Sequence, residues 1–278
     1  MSPEDIQHII QSIGEDTSSG AMELTLVTFS CLEEIVKASK EDLISFEGAR
    51  TLLEMLRGAK SELVPVINLV DIFTAGLGPI TQDTLERALA SARTIMEIEE
   101  KSPDWIFNQV RDLYAGREVE VLTYSYSSTV VRVLSRLREV AEIRVVTSEG
   151  RPTGDGSHLL SKMDGEGISF LYLTDAALMS YVPRVDVAFL GTDGWSPSYF
   201  LNKVGTKALV ELLDMHGKGG FVFASPLKMS TDEALLSLEM KDYGEEELLR
   251  NERTDVNVIN RYFEIVPRYP NITLFSHP

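Results

Sequence analysis

The chain has 278 residues, 44% of them hydrophobic and 25% charged, and a formal net charge of −17. This length is sufficient to bury one large core or those of two ordinary domains. The strong negative charge repels phosphate backbones and anionic lipids, so it disfavours generic nucleic-acid binding and attachment to a membrane surface. A local pocket with a few cations and backbone N–H groups can still accept a small anion.

The cysteine and histidine contents exclude several kinds of site. Cys31 is the only cysteine, so the chain cannot form an internal disulfide or a thiolate zinc cage. The histidines are scattered without a second ligand at suitable spacing, so we predict neither a metal site nor a cofactor.

The sequence also indicates the cellular compartment in which the protein is expected. Residues 1–16 lack the basic and apolar segments of a signal peptide. No apolar run approaches the roughly 20 residues that a transmembrane helix needs. We therefore expect a cytoplasmic protein that does not enter the membrane.

The N-terminal part of the chain has the periodicity of helices. From Ser2 to about Gly116, apolar residues recur at spacings of three and four, as in Ile6, Ile9, Ile10 and Ile13. Thr81, placed before a long apolar-periodic run, is typical of a helix start. We predict that residues 1–116 form a helical bundle domain.

After Gly116 the pattern changes to short apolar runs separated by helix-length stretches. The runs are Val119–Thr123, Ile143–Thr147, Ile168–Thr174, Val185–Leu190 and Phe221–Ala224. Such runs are typical of parallel strands that helices cover on both faces. We predict that residues 117–278 form a Rossmann-like α/β domain, with ligands bound beyond the carboxyl ends of its strands. The mixed-charge stretch Lys241–Arg253 is interpreted as a solvated helix or loop.

The first polar cluster, Tyr124–Ser128, follows the first predicted strand. Serine hydroxyls beside the free N–H groups of a helix start can bind a phosphate. Ser127 and Ser128 can also be simple helix caps.

The second polar cluster is Ser148–Gly156, in which Arg151 stands beside Pro152 and among glycines. A guanidinium held in this way can present a planar fork to a phosphate or carboxylate. An exposed arginine in a turn is an equally good interpretation.

The third polar cluster comprises Gly191–Gly194 and Asn202–Thr206. Asp193 ends a buried strand in this prediction, and a carboxylate is costly there unless it is bonded or functional. Asn202 and Lys203, at a predicted helix start, can hold a phosphate together with backbone N–H groups. Alternatively, Asp193 only caps the next turn.

In their order and spacing, these clusters resemble the initiation factor 2B α/β/δ-subunit family, which includes ribose-1,5-bisphosphate isomerase and methylthioribose-1-phosphate isomerase. The matching segments are Val121–Leu134, Glu149–Gly156, Asp175–Ala177, Gly191–Thr206 and Phe263–Pro267. The resemblance implies a helical N-terminal domain before the α/β domain, and a homodimer or an assembly with related subunits. It also places Gly20 and Ala21 in a ligand-binding loop.

The resemblance further implies two catalytic positions. The isomerases share a Cys after the first strand and an Asp in a Gly-Ala-Asp block, and these positions hold Ser125 and Asp193 here. A serine hydroxyl is far less acidic than a thiol, so it cannot readily take the same acid role. Ser19 and Val64 stand where the isomerases carry arginines.

We therefore expect a non-catalytic or regulatory initiation factor 2B-like protein that binds a sugar phosphate or a nucleotide. The expected ligand-binding residues are Gly20, Ala21, Ser127, Ser128, Arg151, Asn202 and Lys203. One alternative is an aldose-ketose isomerase acting on a ribose 1-phosphate-type substrate, with Asp193 transferring the proton. A second alternative is an interaction scaffold with a vestigial pocket.

Overall fold

A computed structural model describes residues 1–16, 19–75, 77–249 and 255–278. The chain divides into two compact units, one of Met1–Glu100 with Leu227–Met229 and the other of Lys101–Pro226 with Ser230–Pro278. The division falls within one long helix, close to Pro103, whose missing N–H removes a hydrogen bond from the helix ladder.

The first unit is built from helices, as the periodicity of its sequence predicts. These helices are α1 (Pro3–Glu15), α2 (Ala21–Lys40), α3 (Phe46–Ala59), α4 (Val64–Ala75) and the first part of α5 (Gln82–Tyr114). Their apolar faces meet in one core. Cys31 is fully buried in this core, and burial raises the pKa of its thiol to about 12. The thiol is therefore a packing group and not a nucleophile.

The second unit contains two sheets. Its strands are β1 (Glu118–Leu122), β2 (Glu142–Ser148), β3 (Ser169–Leu173), β4 (Val187–Leu190), β5 (Gly194–Trp195), β6 (Tyr199–Lys203), β7 (Gly219–Ala224), β8 (Phe263–Pro267) and β9 (Ile272–Ser276). The larger sheet is parallel, with the six strands in the order β3-β2-β1-β4-β7-β9. The predicted strand segments all lie in it, which confirms the Rossmann-like prediction.

Helices cover both faces of the larger sheet. The helices of this unit are α6 (Ser128–Leu137), α7 (Asp155–Lys162), α8 (Asp175–Tyr181), α9 (Thr206–Met215) and α10 (Asp232–Leu236). Because side chains alternate along a strand, Val121 and Val145 pack with α6 on one face. Leu122 and Val146 pack with α8 and α9 on the other face. The central strand β4 is apolar and buried along its whole length, as expected for a strand that is covered on both faces.

The smaller sheet is antiparallel, in the order β5-β6-β8, and the sequence pattern did not indicate it. Consequently Asn202 and Lys203 end a strand, and do not open a helix. In the charged stretch Lys241–Arg253 the structure describes a single 3₁₀ turn, Glu245–Glu247, and residues 250–253 lie outside the described part. Among the described residues, no helix combines the length and the apolarity needed to cross a membrane.

Candidate functional site

Polar turns meet at one edge of the larger sheet. Strands β1, β2, β3 and β4 are parallel, so their carboxyl ends lie at the same edge. The turns that follow these strands contain the first two polar clusters and residues 191–193 of the third, together with Asp175 at the start of α8. The other part of the third cluster begins at the end of β6, in the smaller sheet. This edge is the candidate functional site.

The turn between β1 and α6 places three serines at the edge. Ser125 has φ +69°, in the left-handed region that non-glycine residues rarely adopt. Ser127 is the N-cap of α6, and its hydroxyl accepts a long hydrogen bond of 3.4 Å from the N–H of Val130. The N–H groups of Ser128 and Thr129, in the first turn of α6, donate no hydrogen bond within the described part of the chain. This helix start therefore keeps donors that an anion can use.

Two glycines let neighbouring segments approach this turn closely. A Cβ on Gly191 would lie 2.5 Å from the Cβ of Ser127. A Cβ on Gly205, which has φ +100°, would lie 2.8 Å from the hydroxyl oxygen of Tyr124. That hydroxyl donates to the carbonyl oxygen of Val204 at 2.8 Å, and burial raises the pKa of Tyr124, so the hydroxyl keeps its proton. The β1–α6 turn is thus fixed against the segment that leads into α9.

A carboxylate organises the turn between β2 and α7. Asp175 accepts hydrogen bonds from Ser148 Oγ at 2.6 Å, from the N–H of Gly150 at 2.9 Å and from the N–H of Arg151 at 2.8 Å. The guanidinium of Arg151 donates to the carbonyl oxygen of Glu247 at 2.6 Å. Arg151 is therefore held by the chain itself on both its backbone and its side chain.

The site contains a buried cation, the ammonium group of Lys203, whose side chain is 4% exposed. Its Nζ donates to Asp155 Oδ2 at 2.8 Å and to Thr153 Oγ1 at 2.6 Å. The same oxygen of Asp155 accepts from Ser125 Oγ at 2.5 Å, and the Thr153 hydroxyl donates to the other carboxylate oxygen. One carboxylate therefore connects the buried lysine with Ser125.

These contacts decide the charge of Asp155. Burial acts to raise the pKa of its carboxyl group. The charge of Lys203 and the hydrogen bonds from Lys203, Ser125 and Thr153 outweigh burial and hold the pKa below its ordinary value. Asp155 is therefore ionised at neutral pH, and an anion that approaches Lys203 meets an ion pair.

Arg151 and Lys203 border one cluster of side chains. The carboxylate of Glu247, whose carbonyl binds Arg151, accepts hydrogen bonds from the Tyr262 hydroxyl and from Asn260 Nδ2. The ammonium of Lys203 lies 6.0 Å from the centroid of the Tyr262 ring. The two cations come from distant parts of the sequence and reach the same region of the sheet edge.

The start of α9 is already occupied by a carboxylate. The N–H groups of Gly205 and Lys207 donate to Glu264 Oε1 at 2.7 and 2.9 Å. Asn202, which is 4% exposed, donates from Nδ2 to Thr206 Oγ1 at 3.1 Å. The backbone donors that were expected to hold a phosphate next to Asn202 are therefore engaged by the chain.

The structure also shows where three other predicted site residues, Asp193, Gly20 and Ala21, lie in the fold. Asp193 lies between β4 and β5, after the strand and not at its end, and its N–H donates to the carbonyl oxygen of Leu201 at 2.9 Å. In the first unit, Gly20 is the N-cap of α2 and Ala21 is its first residue. The N–H of Gly20 donates to the carboxylate of Glu23 at 3.2 Å. Ligand contacts of these three residues stay a prediction.

Sequence reasoning missed Asp155 and Thr153, although both lie in the cluster Ser148–Gly156. An acidic residue between two glycines, just before an apolar-periodic stretch, is a signal for a carboxylate at a helix N-terminus. Its pairing with Lys203 joins positions 48 residues apart, which no local pattern predicts. Within the described ranges, no group of three or more His, Cys, Asp or Glu side chains is arranged to hold a metal ion.

A helical unit, a doubly wound parallel sheet and a polar site at the carboxyl edge of that sheet define a Rossmann-like α/β protein. A sequence profile of the Initiation factor 2 subunit family (IF-2B) matches residues 17–275. The chain belongs to this family, as its motifs predict.

Curated relatives fall into two kinds. An "eIF-2B subunit 2-like" protein of Pyrococcus horikoshii is 25% identical over 182 residues, which are 65% of this chain and 59% of that protein. The ribose 1,5-bisphosphate isomerase of Thermococcus kodakarensis is 24% identical over 155 residues, 53% of this chain and 48% of the isomerase. The chain thus spans about half to three fifths of the length of these two relatives.

Solved structures show the same fold. A translation initiation factor eIF-2B of P. horikoshii OT3 superposes with a TM-score of 0.77 at 20% identity, covering 95% of this chain and 92% of that one. The tetrameric eIF2B-beta2-delta2 complex of C. thermophilum matches with a TM-score of 0.67 at 18% identity, covering 96% and 87%. At these sequence identities, the similarity shows a shared fold and nothing more.

Proposed function

We propose that this chain is a non-catalytic, regulatory member of its family that binds a phosphorylated small molecule, a sugar phosphate or a nucleotide, at the carboxyl edge of the larger sheet. Family membership alone does not choose between regulation and catalysis, because the relatives include both factor-like proteins and isomerases. The observation that carries the proposal is the hydrogen bond from Ser125 to Asp155.

We expect no turnover because of the chemistry and the hydrogen bonding of the Ser125 side chain. This residue stands where the isomerases that the motifs resemble carry a catalytic cysteine. Its hydroxyl proton is directed at Asp155, which Lys203 holds in the anionic form. A hydroxyl is a weak acid, and giving its proton to a substrate requires breaking this charge-assisted hydrogen bond. The weak acidity of the Ser125 hydroxyl and its hydrogen bond to Asp155 both favour a site that binds a phosphorylated ligand without isomerising it.

The capacity for a phosphate follows from the donors around the same carboxylate. The N–H groups of Ser128 and Thr129 stand at the start of α6, and the Ser125 hydroxyl lies on the same turn. The ammonium of Lys203 donates to the same carboxylate oxygen of Asp155 as the Ser125 hydroxyl. A helix start next to a buried cation is a common arrangement for binding phosphate groups.

We further propose that the protein acts in the cytoplasm as a homodimer or with related subunits. The related C. thermophilum subunits form a tetrameric complex, and the shared fold supports a comparable assembly here. Light scattering after size-exclusion chromatography should give at least twice the chain's 31.0 kDa. A monomer at every tested concentration would contradict this part of the proposal.

Turnover assays test the catalytic part. The purified chain, incubated with ribose 1,5-bisphosphate or 5-methylthioribose 1-phosphate, should form no isomerised product above a blank without protein. Product formation that the substitution Asp193→Asn abolishes would overturn the proposal and favour the isomerase alternative.

A further inference from the structure

Asp155, the counter-ion of Lys203, differs from two other carboxylates of the site. Asp175 and Glu264 accept hydrogen bonds from backbone N–H groups, so they hold the turns in place. Among the described residues, the Asp155 carboxylate accepts hydrogen bonds from side chains alone, namely those of Lys203, Ser125 and Thr153. Replacing this carboxylate therefore breaks no hydrogen bond from a described backbone group.

These contacts are the ones that a phosphate would make. A carboxylate and a phosphate form the same charge-assisted hydrogen bonds to an ammonium group, and both accept from hydroxyls. Asp155 is also the first residue of α7, where the helix dipole favours a negative group. Its carboxylate thus stands where negative charge is stabilised from several directions.

Resting on the proposed function, we propose that Asp155 determines the anion affinity of this site, because its carboxylate occupies the position beside Lys203 that a ligand phosphate takes. A phosphate contacts Lys203 only by displacing Asp155, or by sharing the ammonium with it against like-charge repulsion. The Asp155 side chain is 23% exposed and that of Lys203 only 4%. This difference is consistent with a phosphate replacing the carboxylate of Asp155 while Lys203 stays in place.

The test measures the binding of inorganic phosphate and of ribose 5-phosphate by isothermal titration, at ionic strength held constant with sodium chloride. Asp155→Asn keeps the shape of the side chain without its charge, and Asp155→Ala also opens the volume of the carboxylate. Both variants should bind these anions about tenfold or more tightly than the unmodified chain, because a like charge beside the anion is removed. Adding Lys203→Met to Asp155→Ala should abolish the gain.

Asp164→Asn is the matched control. Asp164 is exposed in the turn after α7 and takes part in none of these contacts. The substitution changes the net charge by the same amount, so an equal gain in this variant would mean that general electrostatics, and not the position of Asp155, sets the affinity.

The outcomes separate this inference from the proposed function. Equal affinities of the unmodified chain and both Asp155 variants would overturn the inference and leave the proposed function standing. Binding by the variants alone, with no phosphorylated compound binding the unmodified chain, would support the inference and contradict the proposed function. Absence of binding in all three proteins would overturn both. If the variants are too unstable for titration, the inference still requires phosphate to raise their melting temperatures more than that of the unmodified chain.

Discussion

The ammonium nitrogen of Lys203 lies 2.8 Å from a carboxylate oxygen of Asp155, in a pair whose lysine is almost fully shielded from water. Removing one member of such a pair leaves the other charge without a partner in poorly solvated surroundings. We therefore expect this ion pair to influence the stability of the second unit, its response to acid and its affinity for anions.

Loss of the lysine charge should be costly. Lys203→Met leaves Asp155 unpaired, and we expect a loss of about 3 kcal/mol in the free energy of unfolding, the lower end of the range for buried pairs because Asp155 keeps some contact with water. Urea denaturation measures this loss. The control Lys207→Met, on the exposed face of α9, should change stability by no more than about 0.5 kcal/mol. Equal stabilities of the two variants would contradict the described ion pair.

Acid should weaken the same interaction. The pKa of Asp155 in the folded state lies below its ordinary value of 3.8, so the stabilisation is complete above that pH and is lost as the pH falls through the folded pKa. The difference in unfolding free energy between the unmodified chain and Asp155→Asn should be constant from about pH 5 to 8 and shrink below about pH 4. A difference that persists or grows at lower pH would contradict the lowered pKa.

The close approach of two turns makes one glycine sensitive to substitution. In Gly191→Ala the added methyl group would lie 2.5 Å from the Ser127 Cβ, so we expect overpacking to cost about 1–3 kcal/mol. Gly58→Ala, near the end of α3, meets no atom within 4 Å and should be neutral or stabilising by up to about 1 kcal/mol. Thermal or urea unfolding measures the stability of each variant relative to the unmodified chain. A neutral Gly191→Ala would mean that the turns lie further apart.

The sequence was sufficient for the two-part architecture and the parallel sheet. Spacings of three and four predict the helices before Gly116, and apolar runs predict the buried strands after it. The smaller sheet escaped prediction because β5 has two residues and β6 lies where a helix start was expected. Short strands of this kind are defined by their partner, here β8, and not by their own periodicity.

The meeting of the polar turns at one sheet edge was predictable from the sequence, but the contacts among their side chains were not. Parallel strands bring the turns after β1, β2 and β4 to one edge, so clusters containing Ser125, Arg151 and Lys203 were expected there. Which charge neutralises Lys203 depends on a tertiary contact with Asp155, and the engagement of Arg151 depends on Glu247. Such distant pairs leave no local pattern in the sequence.

Restoring the cysteine should not restore catalysis. By the motif resemblance, the thiol of Ser125→Cys would take the position of the isomerases' catalytic cysteine, whereas Ser19 and Val64 would still lack their guanidinium groups. Asp155 would also still neutralise Lys203. We expect no isomerised product from ribose 1,5-bisphosphate above that of Ser157→Cys, which places a thiol on an exposed part of α7. Turnover by Ser125→Cys alone would show that the rest of an isomerase site has been retained.

Ligand-induced stabilisation tests the proposed function most directly. The unmodified chain and Lys203→Met are unfolded by heat and by urea in the presence of a panel of sugar phosphates and nucleotides. At 100 times its dissociation constant, a compound that binds the folded state should stabilise the unmodified chain by about 2.7 kcal/mol, and Lys203→Met should lose most of that gain. If no phosphorylated compound stabilises the unmodified chain, or if Lys203→Met gains as much, the sheet edge around Lys203 is not a phosphate-binding site.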